Sequence, residues 1–296
     1  MAPEVPSTRS GRQAPRCEVD LLSLEQPSPR AASDRGGPEL RAAEPDARER
    51  LSALAESLGT KAPEAHQDGV PRPILWVWRE RLALGFAGEG PERALCIDWS
   101  TDRVGSHRAG DAARLLTHAL GLDRGVRRIL DATAGLGRDA LRLAAAGAEV
   151  VMIERNAVLA ELLADAHRRL STLDPGTASR LVLCRGDALT LLRTRSFPGA
   201  RNDPDAVYLD PMFPATGKTA LPKRDLQLLR ALLGEDDGQA AELLHVARGI
   251  ATRRVVVKRP PHAPDLGSRP IARHGGSKVR YDVYAPLPRR GQASAT

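Results

Sequence analysis

A glycine-rich turn between an apolar strand and a helix constrains the fold of this chain more than any other feature. Residues 128–131 are typical of a short buried strand, and Gly135, Gly137 and Ala140 follow at the spacing of the nucleotide-fold fingerprint. The two glycines permit a tight turn and the close approach of a ligand, and the small alanine lets the helix pack on the strand. The pattern predicts a strand, a cofactor-binding loop and a helix in direct succession.

Acidic residues around this turn indicate which cofactor it holds. The next apolar run, 150–153, ends in Glu154, about 20 residues after the glycines, where a ribose-binding carboxylate belongs. Asp131 precedes the glycines and Asp139 follows them, and carboxylates there would repel the pyrophosphate of a dinucleotide. S-adenosylmethionine has a sulfonium and an ammonium group and no phosphate. Arg138 could hold the ligand's carboxylate or only cap the helix. The balance favours S-adenosylmethionine over NAD.

A second motif predicts the substrate site. Asp210, Pro211 and Phe213 follow the apolar run 206–209, so that they come at the end of a buried strand. Asp210 and the carbonyl groups near Pro211 can accept the two N–H bonds of an exocyclic amine, and Phe213 can stack on the ring that bears it. A strand that ends in a proline-containing turn is also common without any such role. Together with the glycine loop, the motif predicts chemistry on a planar amine.

Composition limits the class of protein. The 296 residues suffice for one α/β domain of about 170 residues and a smaller unit. No run approaches the roughly 18 apolar residues of a membrane span, and prolines and arginines interrupt the N-terminus where a signal peptide would be apolar. Cys17, Cys96 and Cys184 are widely spaced, which predicts neither disulfides nor a metal site and favours the cytoplasm. The net charge of +7 favours a polyanionic partner, although genomic base bias also produces arginine-rich chains.

Three segments follow from the pattern along the chain. Residues 1–45 are rich in Pro, Ser, Arg and Gly without a sustained period, which predicts a disordered extension. A helix at 46–58 and strands at 74–78, 81–84 and 94–98 predict a small N-terminal α/β domain over 46–104, with Trp76 and Trp78 in its core. The third segment, 105–290, is predicted to be the catalytic domain.

Strands and helices alternate through the third segment. This alternation predicts a mostly parallel, Rossmann-like sheet closed by an antiparallel hairpin. The predicted elements are helix 109–120, strand 127–131, helix 138–146, strand 149–154, helix 156–170, strand 180–184, strand 206–210, helices 225–234 and 238–248, strand 253–258 and a hairpin formed by 271–273 and 279–284. Ligands in such sheets bind beyond the carboxyl ends of the strands. Asp131, Glu154, Asp187 and Asp210 are all expected at that edge.

These motifs resemble the ribosomal RNA small subunit methyltransferase J family. The matching stretches are DATAGLGRD at 131–139, ERN at 154–156, YLDPMFP at 208–214 and VVKRP at 256–260, with a weaker match at 281–284. The resemblance covers roughly 46–286 and is strong from 127 to 284. It implies a class I enzyme that transfers a methyl group from S-adenosylmethionine to the exocyclic N2 of a guanosine in 16S ribosomal RNA. The implied partner is this RNA or the assembled small ribosomal subunit.

The resemblance also implies which residues bind the cofactor. They are Arg138 with Asp139, Glu154 with Arg155, the pair Asp187 and Ala188, and Asp210, beside Asp131, Gly135 and Gly137 of the loop. The implied catalytic residues are Asp210, Pro211 and Phe213. Where the family often has two serines this chain has Asp187 and Ala188, and the family's glycine-rich basic segment is reduced here to residues 105–111.

Other functions stay open at this point. The Asp-Pro-x-Phe motif alone also suits an N-methyltransferase that acts on adenine or on a protein glutamine. The glycine motif permits an NAD-linked oxidoreductase, and a vestigial cofactor fold could serve as an RNA-binding scaffold. The acids at four strand ends disfavour both. The expected rim of the site is basic and could contact RNA phosphates or be ordinary surface charge; its residues are Lys218, Lys223, Arg224, Lys258 and Arg259.

Overall fold

The computed structural model describes the backbone of residues 39–42, and it describes residues 73–86, 88–100, 111–211, 228–229, 232, 238–276 and 279–288. Several sequence predictions lie outside these residues. They concern the extension except 39–42, helix 46–58, segment 105–110, Phe213, Lys218, Lys223, Arg224 and most of helix 225–234.

A seven-stranded sheet forms the centre of the catalytic segment. Its strands are β4 (Arg128–Asp131), β5 (Glu149–Glu154), β6 (Leu181–Arg185), β7 (Ala206–Leu209), β8 (Arg254–Arg259), β9 (Ala272–Gly275) and β10 (Arg280–Tyr284). Their order across the sheet is β6-β5-β4-β7-β8-β10-β9. The first five are parallel, and β10 pairs antiparallel with both β8 and β9. The predicted Rossmann-like sheet with an antiparallel closing hairpin is confirmed.

Helices cover both faces of this sheet. They are α1 (Asp111–Leu120), α2 (Arg138–Ala145), α3 (Ala157–Leu173), α4 (Pro175–Ala178), α5 (Ala188–Thr194) and α6 (Ala240–Ile250). Successive residues of a strand point to opposite faces, so Ile129 and Leu130 enter two different core clusters, as do Tyr208 and Val207. Burial on both faces explains why these strands are continuous apolar runs. Helix α5 was not predicted, because its seven residues are too few for a clear helical period.

A second, three-stranded sheet precedes the large one in the chain. It contains β1 (Glu39–Ala42), β2 (Pro73–Trp78) and β3 (Arg81–Phe86) in that order. Because β1 pairs in parallel with β2, the predicted disorder of 1–45 is wrong for these four residues. These four residues pair with a strand more than thirty positions later in the chain, and local composition does not reveal such a pairing. The predicted strand at 94–98 is reduced to one bridge between Leu84 and Leu95.

The small sheet shares its hydrophobic core with the catalytic segment. Buried Leu75, Leu84 and Trp99 belong to the same cluster as the helices of the large sheet. The backbone N–H of Leu82 donates to the buried carboxylate of Asp165 on α3, at 3.1 Å. One face of the small sheet therefore packs into the core of the catalytic segment, whereas Ile74, Trp76 and Ala83 form a small buried cluster of their own. Among residues 37–296, contacts define one compact unit.

Candidate active site

The glycine loop between β4 and α2 has the conformation that its sequence predicts. Gly135 and Gly137 have φ angles of 55° and 69°, in the left-handed region that favours glycine. A Cβ atom on Gly137 would lie 2.5 Å from the ring of Trp99, so this position also excludes a side chain. The indole Nε1–H of Trp99 donates to the carbonyl of Leu136 at 3.2 Å. Trp99 therefore supports the loop through its ring and this hydrogen bond, a role that was not predicted from the sequence.

Glu154 ties the loop to the neighbouring strand. Its Oε2 accepts a hydrogen bond from the N–H of Gly135 at 2.9 Å, and its Oε1 accepts one from the N–H of Asn156 at 2.8 Å. Burial raises the pKa of Glu154, while these two N–H groups oppose the rise by stabilising the anion. A carboxylate has about four lone pairs, so Glu154 can still accept hydrogen bonds from a ligand.

A cavity of about 520 Å³ lies beyond the carboxyl ends of β4, β5 and β7. This volume is within the range of small-molecule sites. Ten of the predicted site residues line it: Asp131, Gly135, Arg138, Asp139, Glu154, Arg155, Asp187, Ala188, Asp210 and Pro211. Gly137 is outside the lining, packed on Trp99, and Phe213 is outside the described residues. The lining also includes Tyr208 and Lys258, neither of which we predicted as a cofactor or catalytic residue.

Asp139 is the centre of a hydrogen-bonded cluster. Its Oδ2 accepts from the hydroxyl of Tyr208 at 2.7 Å and from Nζ of Lys258 at 2.9 Å, and its Oδ1 accepts from Arg142 at 2.8 Å. Burial favours the neutral acid, but the Lys258 charge and these hydrogen bonds outweigh it and lower the pKa of Asp139. Asp139 is therefore ionised and held by three side chains from α2, β7 and β8.

Asp210 lies at the mouth of the same cluster. Its backbone N–H donates to Oγ1 of Thr133 at 2.6 Å, which fixes the start of the Asp-Pro turn against the glycine loop. Its Oδ2 accepts from Nζ of Lys258 at 2.8 Å, whereas Oδ1 accepts no hydrogen bond from the described residues. Burial raises the pKa of Asp210, and the Lys258 charge opposes this rise. The side chain is 37% exposed, so a ligand can reach it.

Asp131 has a strongly perturbed carboxyl group. It is 1% exposed, and its carboxylate accepts from the N–H of Thr133 at 3.1 Å. Burial raises its pKa to about 8, against the Thr133 hydrogen bond, and the nearby charges of Asp139, Asp210 and Glu154 raise it further. This group is therefore largely protonated at neutral pH.

Asp187 has a structural task in addition to the predicted one. Its Oδ1 accepts from both the N–H and the hydroxyl of Thr190 at 2.8 Å, and so caps the N-terminus of α5. Both bonds use Oδ1, which leaves the acceptor capacity of Oδ2 for a ligand. Asp187 thus caps a helix at the edge of the cavity.

The two basic residues at the end of β8 do not form a phosphate-binding rim. Arg259 is 4% exposed and donates to the carbonyl of Pro264, and Lys258 is bound to two carboxylates. The sequence-based expectation for this pair is therefore wrong. Side chains along a strand alternate between the two faces of the sheet, and the sequence does not tell which face carries the site.

The acidic lining fits S-adenosylmethionine. A ligand with two cationic groups, two ribose hydroxyls and an adenine amine needs hydrogen-bond acceptors and negative charge. Asp131, Glu154, Asp187 and Asp210 supply carboxyl acceptors around one cavity, and Asp139 supplies an ionised carboxylate. In the described part of the chain, no group of three or more His, Cys, Asp or Glu side chains has the arrangement of a metal site. No described helix combines the length and apolarity needed to span a membrane.

Comparison with known proteins agrees with this geometry. A family model described as "Putative SAM-dependent methyltransferase" matches residues 61–286. The ribosomal RNA small subunit methyltransferase J of Marinobacter nauticus is 39% identical over 236 residues, which cover 77% of this chain and 82% of the relative. The protein of the same name from Pectobacterium atrosepticum is 39% identical over 244 residues, which cover 80% and 94%. This chain belongs to the ribosomal RNA small subunit methyltransferase J family.

A solved structure shows the same architecture. The crystal structure of the SAM-dependent methyltransferase NGO1261 from Neisseria gonorrhoeae superimposes with a TM-score of 0.66 at 28% sequence identity, covering 86% of this chain and 99% of that one. Family and fold together establish the chain as a methyltransferase that uses S-adenosylmethionine. The alternative reading as an NAD-linked oxidoreductase is thereby excluded.

Proposed function

We propose that this enzyme transfers a methyl group to the exocyclic N2 of a guanosine in small-subunit ribosomal RNA. The chain matches most of the length of relatives that are named small-subunit ribosomal RNA methyltransferases. The observation that carries the proposal is the position of Asp210 and Pro211, which line the same cavity as the glycine loop. An acceptor for an amine thus lies next to the site of a methyl donor.

Positioning is the main task of the residues around this motif. Bound S-adenosylmethionine supplies an electrophilic methyl group. Guanine N2 is a poor nucleophile because its lone pair is delocalised into the ring, so it must be held in line with that methyl group. Oδ1 of Asp210 would accept one N–H of the amine, and the Thr133 hydroxyl holds the backbone of Asp210 in place at 2.6 Å. We assign base stacking to Phe213. Such orientation can supply about 7–11 kcal/mol of a barrier.

We assign the cofactor contacts to the lining residues. Glu154 would accept the ribose hydroxyls while it keeps its bonds to Gly135 and Asn156. Asp187 with Ala188 would contact the adenine, with Oδ2 of Asp187 as acceptor for its amine. The methionine end of the cofactor would lie near Asp131, Arg138, Asp139 and Asp210, whereas Arg155 would lie beside Glu154.

The substrate must present an unpaired base. A guanine in a stacked helix cannot place its amine inside a cavity between strand ends, so the target nucleotide must be single-stranded or flipped out. Ribosomal RNA, free or within the assembled small subunit, is the partner we propose. Such a partner implies a cytoplasmic location.

The decisive experiment maps the methylated nucleotide. Small-subunit RNA and small subunits from cells that lack this gene would be incubated with the purified enzyme and labelled S-adenosylmethionine, then digested and analysed by mass spectrometry. We expect one N2-methylguanosine. Label in adenosine or in a protein glutamine would refute the proposed substrate and favour another N-methyltransferase.

A pair of variants tests the motif itself. Asp210→Ala should reduce the rate at saturating cofactor more than about 10-fold, because the amine loses its acceptor. Asp123→Ala is the matched control: this carboxylate is 48% exposed, pairs with His118 and does not line the cavity. If the Asp210 variant retains more than a tenth of the wild-type rate, the assigned role is wrong.

A further inference from the structure

One lysine lies between two carboxylates that come from separate elements. Nζ of Lys258, on β8, donates to Oδ2 of Asp139 on α2 at 2.9 Å and to Oδ2 of Asp210 after β7 at 2.8 Å. An ammonium group has three donors, and these contacts use two of them. The side chain of Lys258 is 29% exposed and that of Asp139 is 12% exposed. The contact is therefore a partly buried bridge between two carboxylates, distinct from a surface ion pair.

The two carboxylates need this cation. Their Oδ2 atoms can be no more than about 6 Å apart, because both are hydrogen-bonded to the same nitrogen atom. Like charges at that distance favour protonation of one partner, and burial adds to the effect. Arg142 and Tyr208 also bind Asp139, but no other described cation is hydrogen-bonded to Asp210. Loss of Lys258 would therefore affect the charge of Asp210 more than that of Asp139.

Lys258 also determines which oxygen of Asp210 is left for a ligand. With Oδ2 bound to Nζ, the carboxylate is restrained at one side and Oδ1 is the acceptor without a described partner. An ionised Oδ1 accepts an N–H bond more strongly than a protonated acid does, since hydrogen bonds to a charged group are about twice as strong as neutral ones. The bridge thus restrains both the charge and the orientation of the group that receives the amine.

We propose that Lys258 is a positioning residue for methyl transfer, which keeps Asp210 ionised and oriented so that Oδ1 accepts the amine of the target base. The inference rests on the proposed function, because it assigns to Asp210 the contact with the amine. It differs from a role as RNA phosphate ligand, which would need a free ammonium group at the surface.

The pH dependence of the reaction reports this role. Protonation of Asp210 should limit the rate on the acid side, and removal of Lys258 should move that limit to higher pH because the anion loses its cation. The charged and titratable groups around Asp210 come from five strands and one helix: Asp131 on β4, Glu154 on β5, Tyr208 on β7, Lys258 on β8, Tyr281 on β10, and Asp139 and Arg142 on α2. Of these, Lys258 is the cation that is hydrogen-bonded to Asp210, and its charge opposes protonation of that carboxylate.

The test compares Lys258→Met, Lys258→Arg and Arg142→Met with the wild type. Arg142→Met is the matched control, because it removes a cation bound to Asp139 and leaves the Asp210 contact intact. Single-turnover methylation would be measured from pH 5.5 to 9 with saturating cofactor and RNA. We expect the acid limb of Lys258→Met to move up by at least about one pH unit, a 10-fold loss on that limb that recovers at high pH. Lys258→Arg should restore the limb, and Arg142→Met should leave it in place.

Three results would overturn the inference. They are an unchanged profile in Lys258→Met, an equal loss at every pH, and a higher KM for RNA that depends on salt while the single-turnover rate is normal. The last would indicate a phosphate contact. Failure of the proposed function is a separate outcome, because the wild type would then yield no methylguanosine at any pH. Circular dichroism and thermal unfolding of each variant would establish that it is folded.

Discussion

Glu154→Gln is the substitution whose effect the structure specifies most closely. Glutamine has nearly the same shape as glutamate, but one carboxylate oxygen becomes an NH2 group. Oε1 and Oε2 of Glu154 each accept a backbone N–H, from Asn156 at 2.8 Å and from Gly135 at 2.9 Å. The amide can accept only one of these bonds and must turn its NH2 group towards the other donor. We therefore expect this nearly isosteric change to loosen either the glycine loop or the start of α3.

The magnitude follows from the lost bond. A hydrogen bond to a charged group contributes about 1.5–3 kcal/mol, and the residue is 6% exposed, so water does not replace the acceptor. If the loop must be reordered before the ligand binds, this energy appears as a roughly 10- to 150-fold rise in the dissociation constant for S-adenosylmethionine. Weaker contacts to the ribose hydroxyls would add to it. The rate at saturating cofactor should change little.

Isothermal titration calorimetry with S-adenosylmethionine checks this expectation on variants of the two glutamates of β5. Glu149 lies at the other end of the same strand, is exposed and does not line the cavity, so Glu149→Gln is a matched control. We expect wild-type affinity for Glu149→Gln and weakened affinity for Glu154→Gln. If Glu154→Gln binds the cofactor within about 3-fold of wild type and is equally stable, the hydrogen bonds of Glu154 do not contribute as we argue.

Other substitutions test stability. Burial raises the pKa of Asp131 to about 8, above its unfolded value of about 3.9, so the native state binds the additional proton and its stability falls as pH rises between these values. Asp131→Asn should therefore gain stability relative to wild type from pH 4 to pH 8 in urea unfolding, and a constant difference would contradict the shifted pKa. Asp165→Ala should cost about 3–5 kcal/mol because it leaves Arg169 and the Leu82 N–H without their buried acceptor, whereas Asp123→Ala, at the exposed pair with His118, should cost less than about 1 kcal/mol. Deletion of 1–45 should lower stability more than deletion of 1–36, because it also removes β1 and exposes the edge of β2; equal unfolding midpoints would contradict this.

Local patterns predicted the elements that place the site. The strand before Gly135 and the one before Glu154 are short apolar runs with acids at their ends, and β4 and β5 have these bounds within one residue. Parallel strands align their carboxyl ends, so a list of strand-end acids is also a list of neighbours. This is why Asp131, Glu154, Asp187 and Asp210 could be expected around one cavity from the sequence alone.

Contacts between distant parts of the chain could not be predicted from local sequence patterns. Trp99 supports Gly137 through a ring contact, and β1 pairs with β2 through a parallel ladder. Neither leaves a periodic signal near the residue concerned. Lys258 was seen only as a basic residue after an apolar run, and such a residue is usually solvated. Its partners Asp139 and Asp210 lie 119 and 48 positions away, and only the sheet order brings them to it.

Three acids of this site have a structural task beside the proposed cofactor contact, and single substitutions will therefore not separate the two roles. Glu154 orders the glycine loop, Asp187 caps α5, and Asp139 holds Tyr208 and Lys258. Each uses part of its acceptor capacity inside the protein and keeps the rest for the cavity. An alanine variant at any of them therefore combines a folding defect with a binding defect. Asp210 differs, because Lys258 is the only described residue to which its side chain is hydrogen-bonded. The Lys258–Asp210 pair is thus the place where charge can be changed with the least disturbance of the loop, and where the pH profile reports chemistry.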